Sequence, residues 1–203
     1  MKNSSIIIFI GFGASVFLMS QCADKGNKDP VAVAESEKPL YQGFESKEKL
    51  GEHLVLIAGC HDCHTPKKMS ANGPELDFSL ALSGHPSQMP APNVDRRDME
   101  NKGLVVTQTL TSWVGPWGVS YAANLTPDST GIGMWKEENF LTAIRKGKFK
   151  GLETGRTLLP PMPWQMYQNM TDEELSAIFA YLKSIKPIKN VVPQPNMPVL
   201  ARK

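Results

Sequence analysis

Two cysteines and a histidine at fixed spacing, in Cys60-His61-Asp62-Cys63-His64, carry the clearest chemistry in this 203-residue sequence. Each thiol can form a thioether with a vinyl group of haem, and a histidine directly after the second thiol can bind the iron. The pattern therefore predicts one covalently attached haem c, held by Cys60 and Cys63, with His64 as an axial ligand of the iron.

Three other interpretations compete for this cysteine pair. A redox-active disulfide would be expected within a βαβ pattern and does not need the histidine. A zinc site needs a fourth ligand from a second cluster of cysteine or histidine, and the only other cysteine is Cys22. A five-residue pattern can also arise by chance. Haem attachment uses both thiols and the histidine without requiring a second cluster of cysteine or histidine.

The N-terminal segment predicts export and a lipid anchor. Lys2 is followed by an apolar run over residues 6–19 and then by small or polar residues, as in a secretory signal peptide, here residues 1–21. The run is shorter than the about 20 residues of a membrane span. The residues before Cys22 resemble the lipobox of bacterial lipoproteins, so we expect Cys22 to be the lipidated first residue of the mature chain. An ordinary signal peptide cut nearby is the alternative.

The rest of the chain divides by composition into a tether, one domain and a tail. Residues 22–40 begin with the lipidated cysteine and continue as a polar stretch whose composition predicts a flexible tether. Residues 41–193 are long enough for one domain, and residues 194–203 form a C-terminal tail. The formal net charge is +2 and no basic tract occurs, which argues against nucleic acid as a partner.

Helical periodicity appears in three segments, Ser46–Gly59, Lys136–Lys146 and Asp172–Ile185. The first leads directly into Cys60. Its predicted buried face consists of Leu50, His53, Leu54, Ile57 and Ala58. The third opens with Thr171 and Glu174, the spacing of a capping box.

Strand patterns are scarce, and Leu104–Leu110 is the only plausible one. Residues 66–133 are rich in Pro, Gly, Ser and Asn, and so long an irregular stretch is unusual in a compact domain. It could be a disordered insertion, but its aromatic residues indicate packing, and a large planar cofactor offers a surface for such loops. We therefore predict an all-α fold of three or more helices, with long loops wrapped around one haem.

A second axial ligand is expected from a methionine, because a His/Met pair raises the reduction potential of haem. Met162 lies between Pro161 and Pro163, and prolines stiffen a loop that must hold a thioether at the iron. Met89 is the main rival. His53 and His85 are further candidates.

Additional motifs follow the attachment site in a fixed order. They are Asn124–Asp128, Thr130–Gly133 with Trp135, Phe140–Arg145, Pro161–Trp164 with Tyr167, and Thr171–Leu175 leading into Ala180–Lys183. This succession resembles class I c-type cytochromes, particularly the cytochrome domains that accompany membrane-bound quinohaemoprotein and flavin dehydrogenases. The resemblance covers the attachment site and nearly everything from residue 113 to 193. It implies a cytochrome c fold, with His64 and Met162 as the axial ligands.

The leading functional expectation is electron transfer with donor and acceptor proteins, not catalysis, by an exported protein on the periplasmic side of the cell envelope. One alternative is a haem c subunit of a specific dehydrogenase complex. Another is a haem enzyme or ligand sensor, which needs an open iron position with acid or base groups nearby. Candidates for the haem pocket, with plain packing as their alternative role, are Trp113, Trp117, Tyr121 and Asn124.

Overall fold

The computed structural model describes residues 41–198, so the predicted signal peptide, Cys22, the whole tether and residues 199–203 of the predicted tail lie outside the described residues. The helices are α1 Lys47–Ile57, α2 Cys60–His64, α3 Arg96–Lys102, α4 Glu137–Lys146, α5 Trp164–Tyr167 and α6 Asp172–Ser184. The strands are β1 Lys67–Ser70, β2 Gly73–Leu76, β3 Val106–Thr107, β4 Ser112–Gly115 and β5 Gly118–Tyr121. Short 3₁₀ turns occupy Phe78–Leu80 and Phe149–Gly151.

The prediction of an all-α fold is wrong, because two antiparallel sheets fill the region expected to be loops. Strands β1 and β2 form a hairpin, and β3, β4 and β5 form a three-stranded meander in which Ser112 lies opposite Tyr121. Nearly every residue of β4 and β5 is buried. Strands buried on both faces lack the alternation of apolar and polar residues that reveals a strand in a sequence.

The three predicted helices are present as α1, α4 and α6, and capping fixes where two of them begin. Ser46 accepts a hydrogen bond from the Lys49 backbone N–H at the start of α1. At the start of α6, the Thr171 hydroxyl accepts from the Glu174 N–H while the Glu174 carboxylate accepts from the Thr171 N–H. This reciprocal pair satisfies two of the amide groups that the first turn of a helix leaves free.

Helix α1 packs against α6, but its buried face is rotated from the predicted one. The buried residues are Leu50, Gly51, Leu54 and Val55. His53 is exposed, and Ile57 keeps 64% of its surface accessible. The cause is Gly51, where an added Cβ would lie 2.0 Å from the Ala177 carbonyl oxygen. Because only glycine permits this approach, the two helices cross there and the buried face centres on that position.

A single core joins α1, α4 and α6 with two residues from the loops. Helix α6 contributes an almost continuous apolar face, and α4 contributes Phe140, whose ring centroid lies 5.5 Å from that of Phe179. Leu82 and Ile132 enter the same core from irregular segments. These two residues show that the long region between α2 and α4 is packed into the domain.

The described end of the chain returns to the three-stranded sheet. Val119 in β5 and Asn196 exchange backbone hydrogen bonds of 2.8 and 3.1 Å. The Arg96 side chain of α3 also donates to the Met197 carbonyl oxygen, at 2.5 Å. Residues beyond the last helix thus hold β5 and α3 together. Within residues 41–198, no helix is long and apolar enough to cross a membrane.

Candidate haem site

Helix α1 delivers the chain to the two cysteines through a tight bend. Gly59 adopts a left-handed conformation at the start of α2, and Cys60 and Cys63 follow on a single short helix as half-buried free thiols. Burial raises the pKa of Cys60 to about 11 and also raises that of Cys63. Reactive cysteines of redox motifs instead have a lowered pKa. The environment of this pair is therefore unlike that of a redox-active disulfide.

The ring of His64 is held by one backbone carbonyl. Its Nδ1 lies 2.7 Å from the Ala123 carbonyl oxygen, which can only accept a hydrogen bond, so the proton is on Nδ1. Burial also lowers the pKa of His64 and favours the neutral ring. The remaining nitrogen, Nε2, then carries the lone pair that a metal needs. A hydrogen bond of this kind fixes both tautomer and ring orientation in metal-binding histidines.

Ala123 is placed by a close approach of two chain segments. The His85 N–H donates to the Ala122 carbonyl at 2.9 Å, and the Gly84 N–H donates to the carbonyl of His64 at 2.8 Å. Gly84 has φ +79°, and a Cβ there would lie 2.6 Å from backbone atoms of Ala122 and Ala123. Only glycine allows the segment that follows the thiols to meet the segment that orients His64.

Asn124, a predicted haem-pocket residue, uses its side chain to shape the loop after Ala123. Its Oδ1 accepts from the Thr126 N–H at 2.9 Å and from the Thr126 hydroxyl at 2.8 Å. Its Nδ2 donates to the Ile188 carbonyl at 2.8 Å and to the Thr130 hydroxyl at 3.2 Å. With both ends of its amide occupied by protein partners, Asn124 supports the position of Ala123 from one residue away.

Met162 lies in a proline-rich loop beside the core. Its side chain is half-buried and packs against the same core cluster as Cys60. A cavity of about 320 Å³ adjoins it, lined by Leu158 and residues 160–165. Directly after the loop, the Tyr167 hydroxyl donates to the Ala58 carbonyl at 2.6 Å. This bond joins the Met162 loop to the end of α1, two residues before the first thiol.

The rival ligands are engaged elsewhere in the domain. His85 is fully buried; its Nε2 donates to the Met89 carbonyl at 2.8 Å, and its Nδ1 lies 2.9 Å from the Thr111 hydroxyl. The Met89 sulfur lies 3.8 Å from the Thr109 hydroxyl. His53 is exposed on α1, with its ring 4.9 Å from that of Phe44.

The aromatic candidates occupy the three-stranded sheet and its turn. Trp113 is buried in β4, and the Tyr121 ring lies 4.9 Å from the His85 ring. Trp117 is half-buried in the β4–β5 turn, where its indole N–H donates to the Ser120 hydroxyl at 3.0 Å. Sequence reasoning missed Ser120, because a single serine in an apolar strand carries no signal of a role.

The family model for cytochrome c matches residues 48–186, which include the attachment motif, Met162 and all of α6. The chain belongs to the cytochrome c family. It is 35% identical over 150 residues to the fructose dehydrogenase cytochrome subunit of Gluconobacter japonicus, a match over 73% of this chain and 23% of that protein. This confirms the predicted family, its covalently bound haem c and its role as an electron carrier.

Shorter matches involve further dehydrogenase subunits. The gluconate 2-dehydrogenase cytochrome c subunit of Pantoea cypripedii is 42% identical over 67 residues, 32% of this chain and 14% of that protein. The cytochrome c subunit of quinone alcohol dehydrogenase from Gluconacetobacter polyoxogenes is 38% identical over 84 residues, 40% of this chain and 17% of that protein. The chain spans less than a quarter of the length of the relatives it matches.

The chemistry of the donor set fits a haem c. Two half-buried free thiols lie one helical turn apart on α2. Directly after them, His64 is held in the tautomer that leaves Nε2 available for iron. Within residues 41–198, no group of three or more His, Cys, Asp or Glu side chains could hold a metal ion by itself.

Proposed function

We propose that this cytochrome carries one haem c bound through Cys60 and Cys63, with His64 and Met162 as axial ligands, and transfers electrons on the periplasmic side of the cell envelope. The observation that carries the proposal is the bond between His64 Nδ1 and the Ala123 carbonyl, because it prepares the ring to bind iron. When bound, haem supplies a ferrous–ferric couple that exchanges one electron at a time.

The residues around the site favour transfer without rearrangement. His64 is fixed by a backbone group, and the loop of Met162 is stiffened by prolines and tied to α1 through Tyr167. Ligands held in place beforehand need not move when the iron changes charge. A methionine ligand also raises the reduction potential.

Replacing Met162 tests the ligand assignment. Met162→Ala should keep the haem, lose the sulfur-to-iron absorption band of the oxidised protein and bind small ligands at the iron. Met162→His should lower the reduction potential. The matched control is Met89→Ala, which should leave the spectrum unchanged because the Met89 sulfur contacts Thr109. Loss of the band in the control, with retention in Met162→Ala, would reverse the assignment.

The intact mass of the purified protein tests the thioether bonds. After denaturation, the mass should exceed that of the mature polypeptide by one haem, and thiol titration should find neither Cys60 nor Cys63. Replacing either cysteine with serine should leave a single thioether. Two free thiols without added mass would contradict covalent attachment.

Membrane attachment in this proposal depends on Cys22. Several acyl chains on that residue would hold a protein stably at a membrane, whereas one chain would not. Cys22→Ser should therefore move the protein to the soluble fraction, while Cys60→Ser should stay with the membrane. A wild-type protein without acyl mass, together with a Cys22→Ser variant that stays at the membrane, would exclude the lipid anchor.

The electron donor in this proposal is a dehydrogenase. The names of the matched relatives describe cytochrome subunits of dehydrogenases, which supports a partner of that class. Membranes from the source organism should reduce the haem when supplied with the substrate of that dehydrogenase. The partner should also co-purify with tagged protein. If no sugar, sugar acid or alcohol substrate accelerates reduction, the donor belongs to another class.

A further inference from the structure

One side chain of the three-stranded sheet reaches the loop that carries Met162. The Ser120 hydroxyl donates to the Pro160 carbonyl at 2.6 Å, and the Trp117 indole N–H donates to the same hydroxyl at 3.0 Å. A hydroxyl has a single hydrogen, so the Ser120 hydroxyl accepts from Trp117 and gives its own hydrogen to Pro160. Ser120 is only 5% exposed, so water has little access to the pair.

The Pro160 carbonyl lies two residues before Met162, in a stretch whose own backbone N–H groups make no hydrogen bond to the rest of the described domain. Pro160, Pro161 and Pro163 have no N–H to donate, and the N–H of Met162 is used within the loop, on the Leu159 carbonyl. The nearest other hydrogen bonds from this loop to the rest of the described domain are made by the Leu158 N–H and the Tyr167 hydroxyl. On the N-terminal side of Met162, the bond from Ser120 is therefore the hydrogen bond to another part of the described domain that lies closest to the thioether.

The same short segment also orients His64. Ala123, three residues after Ser120, is the residue whose carbonyl accepts from His64 Nδ1. Ser120 belongs to strand β5, which ends at Tyr121 and is hydrogen-bonded to β4 on one side and, through Val119, to Asn196 on the other. Residues 120–123, at and just after the end of β5, thus contact both the residue proposed as one axial ligand and the loop of the other.

We propose that Ser120 is a positioning residue for the Met162 ligand, acting through the Pro160 carbonyl and assisted by Trp117. The proposal rests on the assignment of Met162 as a ligand. Without the hydroxyl, Pro160 and Trp117 would both lose their partner, and the loop would be freer to leave the iron. Haem attachment would not depend on Ser120, because Cys60 and Cys63 lie on α2.

The test compares Ser120→Ala with the wild-type holoprotein. We expect a weaker sulfur-to-iron band, a lower reduction potential and an affinity of the ferric iron for cyanide that rises roughly tenfold, which corresponds to about 1.4 kcal/mol. Ser120→Thr keeps the hydroxyl and should restore all three properties. The matched control is Ser112→Ala, a buried serine of the neighbouring strand β4, which should change none of them.

The outcomes separate this inference from the ligand assignment. If Met162→Ala abolishes the band while Ser120→Ala leaves band, potential and cyanide affinity unchanged, Ser120 has no positioning role and the ligand assignment holds. If Met162→Ala leaves the band intact, the assignment itself fails. Should Ser120→Ala not take up haem, Trp117→Phe decides: a smaller rise in cyanide affinity supports the inference, and an unchanged affinity overturns it.

Discussion

Replacing Gly51 with alanine should destabilise the protein, even though alanine favours helices over glycine. A Cβ at this position would lie 2.0 Å from the Ala177 carbonyl oxygen and 2.8 Å from the Tyr181 Cβ. Ordinary contact begins at 3.4 Å, so α6 would have to move away by about 1.4 Å. The nearest atom belongs to the backbone of α6 and cannot rotate aside, so the displacement involves the helix as a whole.

The magnitude follows from two opposing effects. Overfilling a packed core costs typically 1–3 kcal/mol, and we expect the upper end because backbone must move. Exchanging glycine for alanine inside a helix increases the free energy of unfolding by up to about 1 kcal/mol, because alanine favours the helix. The net loss in free energy of unfolding should be about 2 kcal/mol, because the steric effect is larger. In a domain of this size, that corresponds to a drop in Tm of about 4–8 °C.

Thermal and urea unfolding of the holoprotein, followed by circular dichroism and haem absorbance, measures this loss. His53→Ala on the exposed side of the same helix is the control and should change stability by less than about 0.5 kcal/mol. Adding Ala177→Gly should not rescue Gly51→Ala, because the Ala177 carbonyl is still present. A Gly51→Ala variant as stable as the wild type would refute the close helix crossing.

Three further predictions concern hydrogen bonds. Thr171→Ala should lower the free energy of unfolding by about 1 kcal/mol, measured by urea denaturation, because α6 loses its cap. Tyr167→Phe should cost a similar amount by the same method, about 1 kcal/mol, since the Ala58 carbonyl loses its donor. The Thr130 hydroxyl lowers the pKa of Asp128, so its NMR titration midpoint should lie below the ordinary 3.8. A lowered pKa adds stability above the unfolded value, so Asp128→Asn should destabilise at neutral pH, and its difference from wild type should vanish as the pH falls through the lowered pKa.

The helices could be predicted from the sequence because their signals are local. The periodicity of Asp172–Ile185, with its capping box at Thr171 and Glu174, placed α6 to within one residue of its observed end at Ser184. The strands β4 and β5 escaped prediction because burial on both faces removes the alternating pattern. The rotated face of α1 escaped for another reason, since it depends on where α6 crosses at Gly51.

The candidate site likewise contains residues that the sequence reveals and contacts that depend on the fold. Cys60, Cys63 and His64 are visible in the sequence because all three lie within one turn of helix. The partner of His64 is a backbone carbonyl 59 residues away, and every residue of the chain has a backbone carbonyl. No residue type marks such a group. Ser120 was hidden similarly, because its role depends on a loop that lies 40 residues further along the chain.

The pairing of α1 with α6 sets the order in which the domain can be completed. The two helices lie at opposite ends of the described chain, and Leu50 and Val55 of α1 are covered once α6 is in place. Contacts between such distant segments form late, because the long intervening chain must first be closed into a loop. Until α6 is in place, the haem attachment motif that follows α1 therefore lies beside a core that is still incomplete.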